Sequence, residues 1–189
     1  TLLRSGVQND DLYDYIIRDG IRLSDQVVTR SKVAKNELLA TGKVTIKENN
    51  LNLTVDYGVP NANTSLTLDL SSSADIISQI QSIVDSAKNA GVTITGIYTS
   101  SANINKMRQN AGLQTAINGN IGAGSMIRKT VMEEFLSEEF GINTILTNDL
   151  TYGKSATVGA NGRPNITTAR YFPQNKVTFF ATNPGGRLG

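Results

Sequence analysis

The chain has 189 residues, of which 39% are hydrophobic and 18% charged, so it is long and apolar enough to bury a sizeable core. It contains no histidine and no cysteine, which excludes disulfides, thiolate nucleophiles and the commonest general base and transition-metal ligand. The net charge of +2 argues against a dedicated nucleic-acid reader, and no apolar run reaches the ~18 residues of a membrane span.

The first predicted element is one long helix over residues 11–39, followed directly by a β-hairpin. This segment has no proline and a single internal glycine, Gly20, and its apolar residues recur at helical spacing. Gly42 is expected to end the helix, because glycine can adopt the left-handed conformation of a C-cap. The apolar period then changes from 3.6 to 2, and Asn49-Asn50 supplies a turn between two antiparallel strands.

Two apolar stripes run along the long helix. The second stripe, Ile17, Ile21 and Val28, lies a quarter-turn or more beyond the first and indicates either a wide core or a partner. We predict these three residues as a subunit interface. One of the two stripes can face the local hairpin. The main stripe is narrow; its members are Leu12, Ile16, Leu23, Val27, Ala34 and Leu38.

Basic residues also lie along this helix, at Arg18, Arg22, Lys32 and Lys35. Acidic residues are interspersed among them, so the helix surface is mixed in charge and a solvated or salt-bridged face is favoured over specific DNA binding. Weak, non-specific contact of these four residues with a polyanion such as DNA stays open as a hypothesis.

A turn-rich stretch, residues 58–65, separates the helix–hairpin unit from a region where helices and strands alternate, which predicts a sheet flanked by helices. The predicted elements are a helix capped by Ser71-Ser72-Ser73 and ended at residues 89–91, a strand over 92–97, a short helix capped by Ser101 and ended near Gly112, a helix over 125–140 closed by Gly141, and strands over 142–150, 168–172 and 177–182.

Two polar, glycine-containing stretches are predicted as loops. Residues 152–164 have almost no apolar residue to bury and are expected to form an exposed, mobile hairpin loop that includes Lys154 and Arg163. Residues 118–124 precede a helix as a phosphate-binding loop does, but Gly124-Ser125-Met126 lacks the Gly-Lys-[Ser/Thr] ending. A flexible loop is therefore favoured over a nucleotide site.

The helix over 125–140 carries a cluster of carboxylates that could in principle bind a metal or perform acid–base chemistry. Lys129 stands four residues before Glu133, which is the spacing of an ordinary surface ion pair. The apolar face is assigned to Ile127, Val131 and Phe135, so the acidic residues lie largely off it. We therefore predict a solvated face, with no metal, cofactor or catalytic residue, at Glu133, Glu134, Glu138 and Glu139.

The helix–hairpin unit cannot close a core alone, so it is expected to need strands from a longer polypeptide or from neighbouring subunits. Two parts of the chain resemble the E-type major capsid proteins of lambda-like tailed phages. They are residues 36–46 (NELLATGKVTI) with 55–60 (VDYGVP), and residues 170–177 (RYFPQNKV) with 183–189 (NPGGRLG). The resemblance follows the element order of nearly the whole chain and is weak between residues 66 and 150.

The resemblance implies an α+β fold of the Hong Kong 97 capsid type. Residues 1–62 correspond to a peripheral lobe with a spine helix and hairpin, residues 63–183 to an axial lobe with a mixed sheet flanked by helices, and residues 184–189 to a return towards the peripheral lobe. The family's N-terminal arm, extended loop and last strand have no counterpart here. The sequence is therefore expected to be a piece of a longer polypeptide that does not assemble a shell by itself.

The function implied by the resemblance is that of a phage or prophage major capsid (head) protein. Such a protein self-assembles through pentamers and hexamers into an icosahedral shell around double-stranded DNA, in the virion and, during assembly, in the cytoplasm of the bacterial host. Scaffold and decoration proteins are further expected partners. Contact with a membrane and binding of a cofactor or metal are not expected. In this setting Lys154 and Arg163 are expected near the capsomer axis. The alternatives are a small-molecule-binding or enzymatic α+β domain, or a phage tail or connector protein.

Overall fold

A computed structural model describes residues 9–48, 50–60, 64, 66–119, 125–158 and 163–181 of the chain. These residues form an α+β fold with a long first helix, two β-hairpins and a three-stranded mixed sheet flanked by helices. The elements are α1 (Asn9–Thr41), β1 (Lys43–Glu48), β2 (Leu51–Asp56), α2 (Ile76–Asn89), β3 (Gly96–Thr99), α3 (Ser101–Gln109), α4 (Ala111–Asn118), α5 (Lys129–Phe140), β4 (Thr144–Thr147), β5 (Thr151–Val158), β6 (Pro164–Arg170) and β7 (Val177–Phe180).

The long helix and the hairpin after it are confirmed. Helix α1 is continuous through Gly20, and Gly42 ends it with a φ of 72° while its N–H donates to the Leu38 carbonyl over 2.7 Å. Strands β1 and β2 pair antiparallel with Lys43 opposite Asp56. The chain reverses next to Asn50, whose φ of 64° is a turn conformation that asparagine tolerates. The other predicted turn residue, Asn49, lies outside the described residues.

The centre of the fold is the sheet β4–β3–β7, in which β3 runs parallel to β4 and antiparallel to β7. Alternation along β3 directs Ile97 to one face of the sheet and Tyr98 to the other. Helices α2 to α5 cover the Ile97 face with a continuous apolar core. Its fully buried members include Ile76, Ile80, Met107, Leu113, Met132 and Leu136. We call the sheet and these four helices the body.

A buried asparagine organises the helices of the body. Asn110 separates α3 from α4 and caps α4, because its side-chain oxygen accepts from the Leu113 N–H over 3.0 Å. Its side-chain amide donates to the carbonyls of Ser71 and Ala74, in the turn that precedes α2. The single short helix predicted from Ser101 to Gly112 is therefore wrong: Ser100 is the cap of α3, and a second helix follows Asn110.

The C-terminal third of α1 lies on the opposite face of the sheet, where three polar side chains meet. The Tyr98 hydroxyl donates to the Asn36 side-chain oxygen over 2.7 Å, and the Asn148 amide contacts both Asn36 and Tyr98, at 3.1 and 2.6 Å. One turn further along α1, the Leu39 carbonyl accepts from the Thr178 hydroxyl. We call the three residues Asn36, Tyr98 and Asn148 the polar joint, since they connect α1 to the body.

The prediction that residues 152–164 form a loop is wrong at both ends of this segment. Strands β5 and β6 occupy most of this region and pair with each other, so the polar sequence forms a hairpin arm with only residues 159–162 outside the described part. The predicted strand over 168–172 accordingly begins earlier, at Pro164, and ends at Arg170.

Several other boundaries also differ from prediction. Helix α2 is capped by Asp75 and not by the serines before it, because the Asp75 carboxylate accepts from the Ser78 N–H. Helix α5 begins at Lys129, since Ile127 is held in extended chain by paired hydrogen bonds with Arg108. The buried face of α5 is consequently Met132, Leu136 and Phe140. The strand predicted over 92–97 is displaced towards the C-terminus, because β3 covers Gly96–Thr99. The strands predicted over 142–150 and 177–182 are the shorter β4 and β7, with residue 182 outside the described part.

Candidate assembly surfaces

The N-terminal part of α1 has no neighbour among the described residues. Every residue from 13 to 28 is exposed, over a length of about 24 Å at the usual rise of 1.5 Å per residue. Isolated helices of this length are marginal in water, and this one carries large apolar side chains that are each 48–70% exposed. We call this surface the helix face; its residues are Tyr13, Ile16, Ile17, Ile21, Leu23, Val27 and Val28.

The main stripe faces the local hairpin at most at its C-terminal end, where Ala34 and Leu38 are partly buried. Ile16, Leu23 and Val27 are 58%, 56% and 70% exposed, and β1 contacts α1 only further along the helix. There, Arg30 donates to the Thr45 carbonyl and the Thr45 N–H donates to Glu37. The second stripe is also uncovered, with Ile17, Ile21 and Val28 at 58%, 58% and 48% exposure, so the wide-core alternative finds no support within the described chain.

The hairpin arm, β5 with β6, is the second exposed surface. It pairs with no third strand among the described residues, so both of its edges are open. Its base is fixed by the contact between the rings of Tyr152 and Tyr171, whose centroids are 4.9 Å apart. Further out, Ile166 is 60% exposed and packs close to Gly153. An open-edged arm with an exposed apolar side chain is a candidate contact for a neighbouring chain.

The two basic residues predicted on this arm, Lys154 and Arg163, lie at different positions along its length. Lys154 is exposed at a β-bulge, where the register shifts between Gly153 and Ser155. A bulge redirects the side chain that it carries and interrupts the edge of the strand. Arg163 is exposed directly before β6, beside the part of the arm that the structure does not describe. Both residues therefore lie on the arm, as expected, but apart along it.

Each hairpin has an ionic contact at its base, where its strands join the rest of the chain. The Arg170 guanidinium lies 2.9 Å from Asp149, which also accepts from the Ser101 N–H at the start of α3. Hydrogen bonds from Ser101 and then Arg170 hold the pKa of Asp149 below its ordinary value. In the first hairpin, Lys43 lies 2.8 Å from Asp56, and hydrogen bonds from Lys43 and from the Gly58 N–H lower the pKa of Asp56.

The four basic residues proposed to contact DNA do not form one stripe. Arg18 and Arg22 lie side by side on α1, and Arg18 is 3.6 Å from Asp14. At about 100° per residue, Lys35 is roughly 140° around the helix from Arg22, with Lys32 between them. All four side chains are exposed. They therefore offer scattered positive charge along α1.

The described residues contain no cluster of acidic side chains suited to a metal ion. No group of three or more acidic residues in the described part of the chain is close enough to hold a metal ion. Glu133 pairs with Lys129 at 3.5 Å, while Glu134, Glu138 and Glu139 are exposed on α5. The glycine-rich stretch after α4 lies outside the described residues from 120 to 124. In the same described part, no helix is both long and apolar enough to cross a membrane.

One surface groove among the described residues can be compared with a substrate site. It is open, has a volume of about 630 Å³ and lies between α2 and the end of α5, and its lining includes Ser78, Ser82 and Glu139 as well as Ile77 and Phe140. Ligand pockets are typically enclosed and mostly apolar with a few convergent polar groups. The groove is instead open and of mixed polarity, and it therefore gives no support to the small-molecule-binding alternative.

An uncovered apolar helix, two open-edged hairpins and a well-packed body together define a subunit of a larger assembly. The family model for phage major capsid protein E matches residues 5–188, nearly the whole chain, and the chain belongs to this family. It is therefore a structural capsid protein of the virion, and it self-associates into a shell. A search of curated proteins found no match.

Proposed function

We propose that this capsid protein self-assembles through pentamers and hexamers into an icosahedral shell that encloses double-stranded DNA. The observation that carries the proposal is the helix face: about 24 Å of helix with apolar side chains that no described residue covers. Such a surface is costly in water and is stabilised by burial against other chains. A shell, in which every subunit has neighbours, provides that burial.

The subunit contacts that we propose are of two kinds. Ile17, Ile21 and Val28 on the helix face supply apolar burial between neighbouring subunits. Lys154 and Arg163 on the hairpin arm contact neighbours around the capsomer axis, where a slender, open-edged arm can adjust to five or six copies. The division into a peripheral-type lobe (1–62), an axial-type lobe (63–183) and a short return (184–189) belongs to the same proposal.

The remaining features of the proposal concern chemistry and other partners. The protein acts without catalysis and without a cofactor, which the absence of histidine and cysteine from the sequence supports. Arg18, Arg22, Lys32 and Lys35 make at most weak, non-specific contact with packaged DNA. Scaffold and decoration proteins act as further partners, and assembly takes place in the cytoplasm of the bacterial host.

Electron microscopy and sedimentation of the full-length capsid protein test this proposal. The unaltered protein is expected to form closed shells, whereas Lys154→Glu and Arg163→Glu each reduce the shell yield without changing the Tm of the unassembled protein by more than about 2 °C. Lys88→Glu, on the exposed side of α2, adds the same charge away from the arm and serves as the control. Loss of shells in the control to the same degree would assign the effect to net charge, and a shell-free unaltered protein would contradict the proposal.

A further inference from the structure

Gly20 is an internal glycine of α1 that nothing in the described subunit requires. Its φ is not positive, and apart from the adjoining backbone of the helix itself no described atom lies within 4 Å of the position that a Cβ would occupy there. Glycine is the poorest helix former after proline because its backbone loses the most freedom on folding. An alanine at this position would therefore fit the described residues and favour the helix, so a reason for glycine has to be sought outside them.

The position of Gly20 on the helix supplies that reason. Residues three and four positions away surround it on the helix surface, and these are Ile16, Ile17, Leu23 and Ser24, all of them exposed. Since glycine has no side chain, the four neighbours enclose a shallow hollow in the middle of the helix face. Hollows between four helix residues are the places that receive a side chain from a packed neighbour.

The hollow faces away from the body. At about 100° per residue, Asn36 of the polar joint lies roughly 160° around the helix from Gly20, and Glu37, which contacts β1, lies roughly 100° away. The contacts of Asn36 and Glu37, which attach α1 to the body and to β1, are therefore made on other sides of the helix than the one that contains Gly20.

The charge on the helix specifies the chemistry of whatever covers the hollow. All charged residues between 13 and 28 lie on the other half of the helix, so the half with Gly20 at its centre is uncharged. An uncharged apolar surface does not suit DNA, whose binding depends on neutralising phosphates. It suits an apolar protein surface, and the protein that a capsid subunit meets in many copies is itself.

We propose that a second copy of the capsid protein crosses α1 at Gly20, with its backbone close to the helix and one apolar side chain in the hollow. The contact distance between packed elements depends on the side chains at the crossing, and glycine allows the closest approach. The inference rests on the proposed self-assembly and adds the place where the neighbouring subunit comes nearest.

The substitution Gly20→Ala in the full-length capsid protein tests this inference, because it predicts effects of opposite sign. The Tm of the unassembled protein is expected to rise by about 2–4 °C, since alanine favours the helix. The shell yield is expected to fall by about tenfold or more, since an added methyl group overpacks a tight crossing. Gln26→Ala, on the charged half of α1, is the matched control and is expected to keep the shell yield of the unaltered protein.

Each other result has a defined meaning. A lower Tm in unassembled Gly20→Ala would show that the same chain covers the hollow, and a higher Tm with an unchanged shell yield would show that no neighbour approaches closely; either result overturns the inference. If the unaltered protein formed another oligomer in place of shells, the proposed shell would be contradicted. The Gly20 contact would still be tested by comparing the fraction of protein in that oligomer between Gly20→Ala and the unaltered protein. A protein that stayed monomeric throughout would contradict both.

Discussion

The body and the helix face use the same kind of side chain in opposite ways. In the body, Ile76 and Ile80 on α2 are fully buried in the apolar core, and the polar side-chain atoms of Asn110 all have partners. On the helix face, Ile16 and Ile21 are 58% exposed with no described neighbour. The body thus completes its packing within one chain, whereas the described residues leave the helix face exposed.

The two hairpins resemble the helix face more than they resemble the body. A two-stranded sheet is marginal in water, and both hairpins lack a third strand in the described part of the chain. The apolar residues of β2, Leu51, Leu53 and Val55, are 55%, 48% and 39% exposed. The difference teaches that the stability of this subunit comes mainly from the body, and that the projecting elements are suited to burial by neighbours.

The sharpest test of this comparison makes the same change, isoleucine to alanine, once in the body and once on the helix face. Ile80→Ala is expected to lower the free energy of unfolding of the unassembled protein by about 3 kcal/mol, because it leaves a cavity in a fully packed core. Ile21→Ala is expected to change it by less than about 0.5 kcal/mol, because the side chain is already in water. Urea unfolding of both variants at one protein concentration measures the two effects.

The same pair also distinguishes stability from assembly. Ile21→Ala is expected to reduce the shell yield although its unassembled form is as stable as the unaltered protein. If Ile21→Ala instead destabilised the unassembled protein as much as Ile80→Ala does, the helix face would be buried within the subunit and the comparison would fail.

A smaller effect is expected at the polar joint, where the two regions meet. Tyr98→Phe removes the hydroxyl that bonds Asn36 and Asn148 but keeps the edge contact of the ring with Phe172, at 4.8 Å between centroids. A loss of about 1–1.5 kcal/mol in unfolding free energy is expected, with faster amide exchange in residues 29–41 of α1. Tyr171→Phe, which keeps its ring contact with Tyr152, is the control. Unchanged exchange in α1 would show that the polar joint does not hold the helix.

The sequence was sufficient where the determining interactions are local. The continuity of α1 and its end at Gly42 follow from helical spacing and from one glycine in the left-handed conformation, and both were predicted. The arm was predicted as a loop because β5 is polar and contains Gly153, which is a poor strand signal. Its strand character comes from pairing with β6, and no pattern within β5 reveals that pairing.

Non-local contacts also explain the other differences. The glycine at the start of β3 is one example: the Phe180 ring of β7 lies over Gly96, where an added Cβ would clash with it. The polar joint was not predicted, since Asn36 and Asn148 are 112 residues apart and each is an ordinary residue in its own segment. The exposed flank of α1 was visible as a second apolar stripe, and the contacts assigned to Ile17, Ile21 and Val28 stay predictions.

The smallest predicted effect concerns the ionic attachment of the hairpin arm to the body. Asp149 accepts hydrogen bonds from Ser101 and Arg170, which lower its pKa and therefore favour the charged carboxylate in the folded protein. The stabilisation is present at pH values above the ordinary pKa of an aspartate and is lost as the pH falls through the lowered pKa of the folded state. Because Arg170 and Asp149 are 35% and 40% exposed, the effect on unfolding free energy is expected to stay below about 1 kcal/mol.

The difference in unfolding free energy between the unaltered protein and Asp149→Asn, measured by urea unfolding from pH 7 downwards, should be largest near neutrality and shrink at acid pH. A difference that grew as the pH fell would show that Asp149 is not stabilised as a carboxylate and that the arm is attached to the body by other contacts.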